Sequence, residues 1–324
     1  MMRDLTFRKR FFAGASALGA LLLLSGCGGG GDSSTPAPTG PFSFQSSFGS
    51  YGNGNGQFNG PFGIAQDSGG NFYVTDSQNN RVEKFRSDGS YLSSFGGFGS
   101  ATGKLSNPTG IAIDQNTNSI YVADTLNSRI EKYDSSGTFI KTIGANGSAS
   151  GQFNGPFGVA VDAAGNLYVA DNGNQRVVQF DVSGNFVRSF GTASGPGKLG
   201  NPTGIALDAS NNVYVADGSN NVIKFTPAGV YAATIGAHGV GDGQFSSATE
   251  IALDKAGNLY ATDKATIVVN RVEKFASNGS FVATLNLTGQ GKLSAPEGIL
   301  IDSSGKIYVA DSGNNRIAIF KPNN

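Results

Sequence analysis

The sequence predicts an all-β fold, a six-bladed propeller of four-stranded blades. Three observations predict it: a sixfold repeat, the strand content of each copy, and complementary chain ends. From Gly56 to the C-terminus one segment recurs six times at intervals of 46 to 48 residues, the signature of a repeat architecture. Its clearest mark is an Asp closing an apolar run of the YVAD kind, at Asp76, Asp124, Asp171, Asp217, Asp263 and Asp311. A Gly precedes that Asp by 13 or 14 residues at Gly63, Gly110, Gly158, Gly204 and Gly298, and Glu250 holds the place in the fifth copy. An Arg follows it at Arg81, Arg129, Arg176, Arg271 and Arg316, and the fourth copy has none.

Each copy reads as four short strands. In residues 110–144 these are GIAID, NSIYVAD, RIEKY and TFIKTIG. The runs are rich in Ile, Val, Tyr and Phe and are separated by turn clusters such as SDG, SSG and SNG, as hairpin-connected strands require. No stretch carries a helical pattern. One four-stranded sheet cannot bury both of its faces alone, so six of them must stack around an axis.

The chain ends predict how the ring closes. The sixth copy stops at RIAIFKPNN, after its third strand, while residues 43–49, SFQSSFG, match the fourth strand of blade one, SYLSSFG at 90–96, at five of seven positions. The N-terminal strand is therefore expected to complete the last blade and leave no open edge. A finer alternation, GQF in odd copies and GKL in even ones, reads as a two-blade unit copied three times.

Ahead of the propeller, residues 1–26 combine Arg3, Arg8, Lys9 and Arg10 with an apolar run over residues 11–24, the layout of a signal peptide and too short to span a membrane. The run ends in LSGC, with Cys27 the single cysteine of the chain. This resembles the bacterial lipoprotein box, which implies cleavage before Cys27 and lipidation of its sulfur. Gly28 rather than Asp after the Cys points, in that family, to the outer membrane. Residues 27–40 read as the lipidated Cys and a flexible Gly/Ser/Pro tether, and residues 41–324 as the propeller. The expected location is the bacterial cell envelope, facing the periplasm or the cell surface.

Without residues 1–26, 19 Lys and Arg remain against 22 Asp and Glu, a net charge of −3. Nucleic-acid binding has no electrostatic support.

The repeat itself is similar to the NHL-repeat family. The pattern PxG, IAVD, a GN turn, LYVAD, a loop with SGNNR and VxxF is read in GPFGVAVDAAGNLYVADNGNQRVVQF at 155–180 and in APEGILIDSSGKIYVADSGNNRIAIF at 295–320. The resemblance covers residues 41–324 and implies a six-bladed binding platform, often for proteins. Related six-bladed enzymes, lactonases and the peptide-amidating lyase among them, hold a metal in the central channel.

Candidate residues follow from this layout. Loops entering each blade and loops between second and third strands share one face. The Asp and Arg rows flank the second loop set, in DSQNNR, DTLNSR, DNGNQR and DSGNNR. Asp and Asn commonly cap turns, so the plain reading is a local hydrogen-bonded clamp. The sharper reading is a ring of Asn80, Arg81, Arg129, Arg176, Arg271 and Arg316 gripping a partner. Blade five carries an insertion, KATIVVNR at 264–271, whose Ile267, Val268 and Val269 are expected either to contact a partner or to extend a strand.

Catalytic constellations are scarce. His238 is the only histidine, so neither a His-ligated zinc nor an amidating-lyase metal set can be built. No GxSxG elbow precedes a helix. Glu250 replaces the register Gly of blade five, and Glu297 stands just before that of blade six. The two are expected at the channel mouth, near the loop bearing His238 and Asp242, either as independent drift or as a divalent-cation site. The sequence thus points to a lipid-anchored, monomeric, non-catalytic platform for a protein or peptide, or else a glycan, with no cofactor. The alternative is a metal-dependent hydrolase or lactonase using Glu250 and Glu297.

Overall fold

The computed structural model describes residues 41–192, 194–218, 220–264, 270–285 and 288–323. Cys27, the segments before Pro41, and Ile267, Val268 and Val269 lie outside the described residues.

Six four-stranded antiparallel sheets make up the body of the described chain, with one two-stranded parallel pair, Ala237–His238 and Gln244–Phe245, in an entry loop. Blade one runs from an inner strand, Pro61–Gln66, through Phe72–Asp76 and Arg81–Phe85 to an outer strand, Tyr91–Gly96. Four further blades repeat this order. In blade two the strands are Pro108–Asp114, Ser119–Asp124, Arg129–Tyr133 and Phe139–Ile143, so the inner strand starts two residues before the stretch read from sequence.

The sixth blade takes its outer strand from the other end of the chain. Phe42–Phe48 pairs antiparallel with Arg316–Pro322, with Phe42 opposite Pro322 and Phe48 opposite Ile317. Asn323 N donates to Pro41 O at 2.9 Å. Phe48 thus stands where Phe95 stands opposite Val82 in blade one, as the SFQSSFG match implies.

Stacking explains the residue pattern. Second strands such as Leu167–Asp171 are buried at every position because both faces pack on neighbours, whereas outer strands such as Phe186–Phe190 expose most of theirs. Six apolar clusters form, each bridging adjacent blades. One joins Ala65, Tyr73 and Val82 of blade one to Ile111, Ile120 and Val122 of blade two, and the sixth joins Tyr308 and Ile317 to Ile64, Phe72 and Phe85. The GQF and GKL alternation places Phe58, Phe153 and Phe245, or Leu105, Leu199 and Leu293, as buried plugs under the entry loops.

The register glycines are explained by close approach. A Cβ on Gly110 would lie 2.4 Å from the carbonyl oxygen of Phe157, and one on Gly298 2.2 Å from that of Phe62. Inner strands of neighbouring blades come too near for a side chain at these points. In blades one, two, three and six the loops between second and third strands hold short 3-10 turns, such as Ser77–Asn79, which end on a left-handed residue, Asn80 at φ 57° in blade one. Asn tolerates that conformation better than most residues.

Candidate functional site

The Asp row works as a clamp between the two loop sets. In blade one, Asp76 Oδ1 accepts from Asn59 N at 2.7 Å, and Oδ2 accepts from Asn79 Nδ2 at 2.7 Å and Arg81 Nε at 2.9 Å. Arg81 then reaches across: Nη1 donates to Asn53 O at 2.9 Å, and Nη2 to Gly54 O and Gln57 O at 2.8 Å each. Entry loops and second-to-third loops therefore do share one face. Arg129 and Arg176 repeat the arrangement on Asp124 and Asp171. Arg271 and Arg316 hold Asp263 and Asp311.

Blade four, with Asn221 in the Arg place, keeps the Asp half of the clamp: Asp217 accepts from Gly200 N at 3.0 Å and Asn201 N at 2.6 Å. Because the guanidinium donors of Arg81, Arg129 and Arg176 are engaged inside their own blades, they offer a partner little. Asn80 serves the scaffold as well, its Oδ1 accepting from Asn107 N at 2.8 Å.

A second acidic row escaped the sequence reading. Glu83, Glu131 and Glu273 are fully buried on third strands beside the clamp Arg, with Arg81 Nη2 to Glu83 Oε1 at 3.1 Å and Arg129 Nη2 to Glu131 Oε1 at 2.8 Å. Burial, opposed by the neighbouring Arg, pushes the carboxyls of Glu83 and Glu273 up to about 7. The equivalent residues in the other blades are apolar: Val178, Ile223 and Ala318.

The central channel is narrow and mostly aliphatic. Ile64, Ile111, Val159, Ile205, Ile251 and Ile299, one from each blade, surround a cavity of about 70 Å³, with Glu250 on its wall. Glu250 Oε1 accepts from the backbone N–H of Ile205 and of Ile251, each at 3.2 Å. Burial, countered by those two amides and slightly reinforced by the charge of Glu297, pushes its carboxyl up to about 8. Glu297 is buried and ion-paired with Lys264, and burial raises its carboxyl too, against the pull of Lys264. Glu250 feels the charge of Glu297, but each has its own partner. Among the described residues no three His, Cys, Asp or Glu side chains gather as a metal-binding group.

The exposed chemistry of the entry face lies at the loop tips. Tyr51, Phe98 and Asn146 each sit ten residues before the first residue of an inner strand and each bridge in parallel to the buried plug of the same loop, Phe58, Leu105 and Phe153. His238 occupies that place in blade five, opposite Phe245. Tyr51 is 71% exposed and Phe98 78%, unusual for large side chains that bury 150 Å² or more in a core. Leu126, 70% exposed, stands on the neighbouring second-to-third loop of blade two, which is tied to the loop of Phe98 by Asn127 Nδ2 donating to Gly99 O at 2.9 Å. The tips thus form a crown of differing residues on a repeated scaffold. The sequence signal was an aromatic residue inside the Gly-rich linkers GSYGNGNG and GGFGSATG.

Comparison with known proteins agrees with this architecture. Residues 63–196 match the SMP-30/gluconolactonase/LRE-like region, and residues 199–223 and 293–320 match the NHL repeat. NHL repeats are thus matched in two segments of the chain. No curated protein sequence matches it.

Among solved structures, a protein of unknown function from Bacteroides thetaiotaomicron shares 21% identity at a TM-score of 0.66, over 86% of this chain and 75% of that one. A gluconolactonase from Xanthomonas campestris shares 15% at 0.61, over 83% and 88%. Virginiamycin B lyase from Staphylococcus aureus shares 15% at 0.60, over 86% and 99%. At such identities the likeness is one of fold.

Proposed function

We propose that this NHL-repeat propeller is a binding platform, held at the bacterial cell envelope through a lipid on Cys27, whose entry-loop crown engages a protein or peptide. The observation that carries the reading is the crown itself: Tyr51, Phe98 and Leu126 stand exposed on adjoining loops of blades one and two. Exposed apolar groups gathered on one face mark interaction sites, and aromatic residues are favoured as interface anchors. The tips also vary from copy to copy while the clamps beneath them recur, an arrangement that suits recognition on a rigid frame.

A second reading, a hydrolase or lactonase, draws on the match of residues 63–196 to the gluconolactonase-like region and on the channel carboxylates. The donor set does not fit a catalytic divalent cation, because Glu297 is neutralised by Lys264 and Glu250 is bound by two backbone amides. Six aliphatic side chains also close around Glu250, leaving a void of about 70 Å³.

The test is a photo-crosslinking residue placed at position 98 in cells, beside a control at Val182 in a third-to-outer turn on the opposite face. Adducts at 98 that are absent at 182 are expected, and Tyr51→Ser with Leu126→Ser should diminish them. Equal adducts at both positions, or lactone turnover by the purified chain that disappears in Glu250→Gln, would overturn the platform reading.

A further inference from the structure

Blade six breaks the clamp pattern in a way that opens a pocket. Twelve residues (49–60) separate Phe48 from Pro61, and twelve (96–107) separate Phe95 from Pro108. Only ten (286–295) separate the equivalent Leu285 from Pro296. In blades one, two and three, Nη1 of the clamp Arg donates to a carbonyl of the longer loop: Asn53 at 2.9 Å, Ser100 at 2.9 Å and Ser148 at 3.0 Å.

Arg316 makes its Nε bond to Asp311 at 2.7 Å and its Nη2 bonds to Gln290 O at 2.8 Å and Lys292 O at 3.1 Å. Among the described residues nothing accepts from its Nη1; the same holds for Arg271 of blade five, whose loop is full length but whose guanidinium also pairs with Glu273. Nor does Arg316 have the second carboxylate that Arg81, Arg129 and Arg271 find in Glu83, Glu131 and Glu273, since Ala318 stands there.

The space left beside it is a cavity of about 560 Å³ on the entry face, lined by Asn270, Gln290, Lys292, Ser294, Asn314 and Arg316 with parts of the loop backbone. Both charged side chains of the lining are cations. The acid nearest in the bonding pattern, Asp311, is fully buried behind the wall and already accepts from Arg316, Asn314 Nδ2 and Ser294 N. A guanidinium edge with a free N–H, fixed in place by its other donors, is a preorganised partner for a planar oxyanion. A neighbouring Lys adds a second charge on a mobile stem.

We propose that this blade-six pocket binds a carboxylate group, seated on Arg316 Nη1 and Lys292. It rests on the platform reading and extends it, since the pocket shares the crown's face. Two sources would present the same chemistry: a free small organic acid, or an acidic side chain of a bound peptide.

The experiment is calorimetric titration of the full chain with succinate and with an acetylated, amidated tetrapeptide containing one Asp, beside succinamide and the Asn peptide. Saturable binding of an acid probe, absent for its amide counterpart, is the expected result, and whichever acid probe binds more tightly identifies the source. Lys292→Gln, a change at an exposed side chain, should weaken binding roughly tenfold. Replacing residues 286–295 by residues 96–107 should abolish it by covering Nη1 with loop carbonyls, and the melting curve of each variant verifies its fold.

Amide probes that bind as well as the acids, no saturable binding by either acid, or a folded loop graft that binds like the native chain would overturn the proposal. Failure of crosslinking at position 98 with acid binding intact would sink the crown and leave the pocket standing.

Discussion

Removing the closing strand should unfold the ring, and its contribution can be built up residue by residue. Phe42 is buried between blades five and six, with its ring 6.1 Å from that of Tyr260. Phe48 lies 4.9 Å from Phe85 and 6.0 Å from Phe72, and Phe44 lies 5.9 Å from Phe320. Truncating a buried Phe to Ala costs about 3–5 kcal/mol. With Phe42 counted in full and the half-buried Phe44 and Phe48 at about half, the strand contributes on the order of 8 kcal/mol, comparable with the whole stability of a typical domain, about 5–15 kcal/mol.

Deletion of residues 41–49 should therefore give a chain without a cooperative urea transition, and one prone to associate through the unpaired edge of Arg316–Pro322. Phe42→Ala gives the graded version, lowering the urea midpoint by about 1 M for a slope near 3 kcal/mol per M. Circular dichroism through a urea series reads both. A deletion variant with the native midpoint, or Phe42→Ala within 0.2 M of native by this rough scale, would refute closure as a determinant of stability.

Three further outcomes follow from the scaffold. Arg176→Ala leaves buried Asp171 without its cation and should cost about 3–5 kcal/mol, and a loss under 1 kcal/mol in denaturant melts would show that the clamp is dispensable, as that estimate requires. Glu83 and Glu273 have folded values near 7 against 4.5 unfolded. The folded state therefore holds the extra protons, and stability falls as pH rises from about 4.5 to about 7. Each group accounts for about 3 kcal/mol of that fall. Glu83→Gln should accordingly raise the midpoint at pH 8 and leave it unchanged at pH 4.5; equal changes at both would contradict the assignment. Gly158→Ala places a Cβ 2.3 Å from Thr203 O and should lower the thermal midpoint, whereas the same change at Gly155, where a Cβ meets nothing within 4 Å, strains only a positive φ and should cost less.

The architecture was legible because its signals are periodic. Repeat spacing, strand runs and the SFQSSFG match all bear on backbone pairing, and the observed registers follow them. The site was harder to read because a propeller buries both faces of its inner three strands, so alternation no longer sorts inside from outside. In RVEKF, Lys84 lies over the ring of Tyr73 while Glu83 is fully buried beside Arg81, yet both look like solvent residues in sequence.

Glu250 and Glu297 lie near the start of their inner strands. Their separate engagements, with backbone amides and with Lys264, depend on neighbours 45 and 33 residues away. Tyr51 and Phe98 were overlooked because they sit in linkers whose glycines dominate the reading. The blade-six pocket borders a loop two residues shorter than that of blade one, and a deficit in length carries no residue of its own to notice.

The hydrogen bond between Asn323 and Pro41 makes the ring a structure without a privileged beginning. A short peptide joining residue 323 to residue 41 would yield a covalent circle, and cutting that circle in any entry loop would return a linear chain whose six blades are each assembled from one continuous segment. The interleaved last blade is thus a property of where the chain is opened. The barrel of packed sheets is indifferent to it, and a circular permutant opened at Gly54 would exchange closure by a returning strand for closure by sheet packing alone.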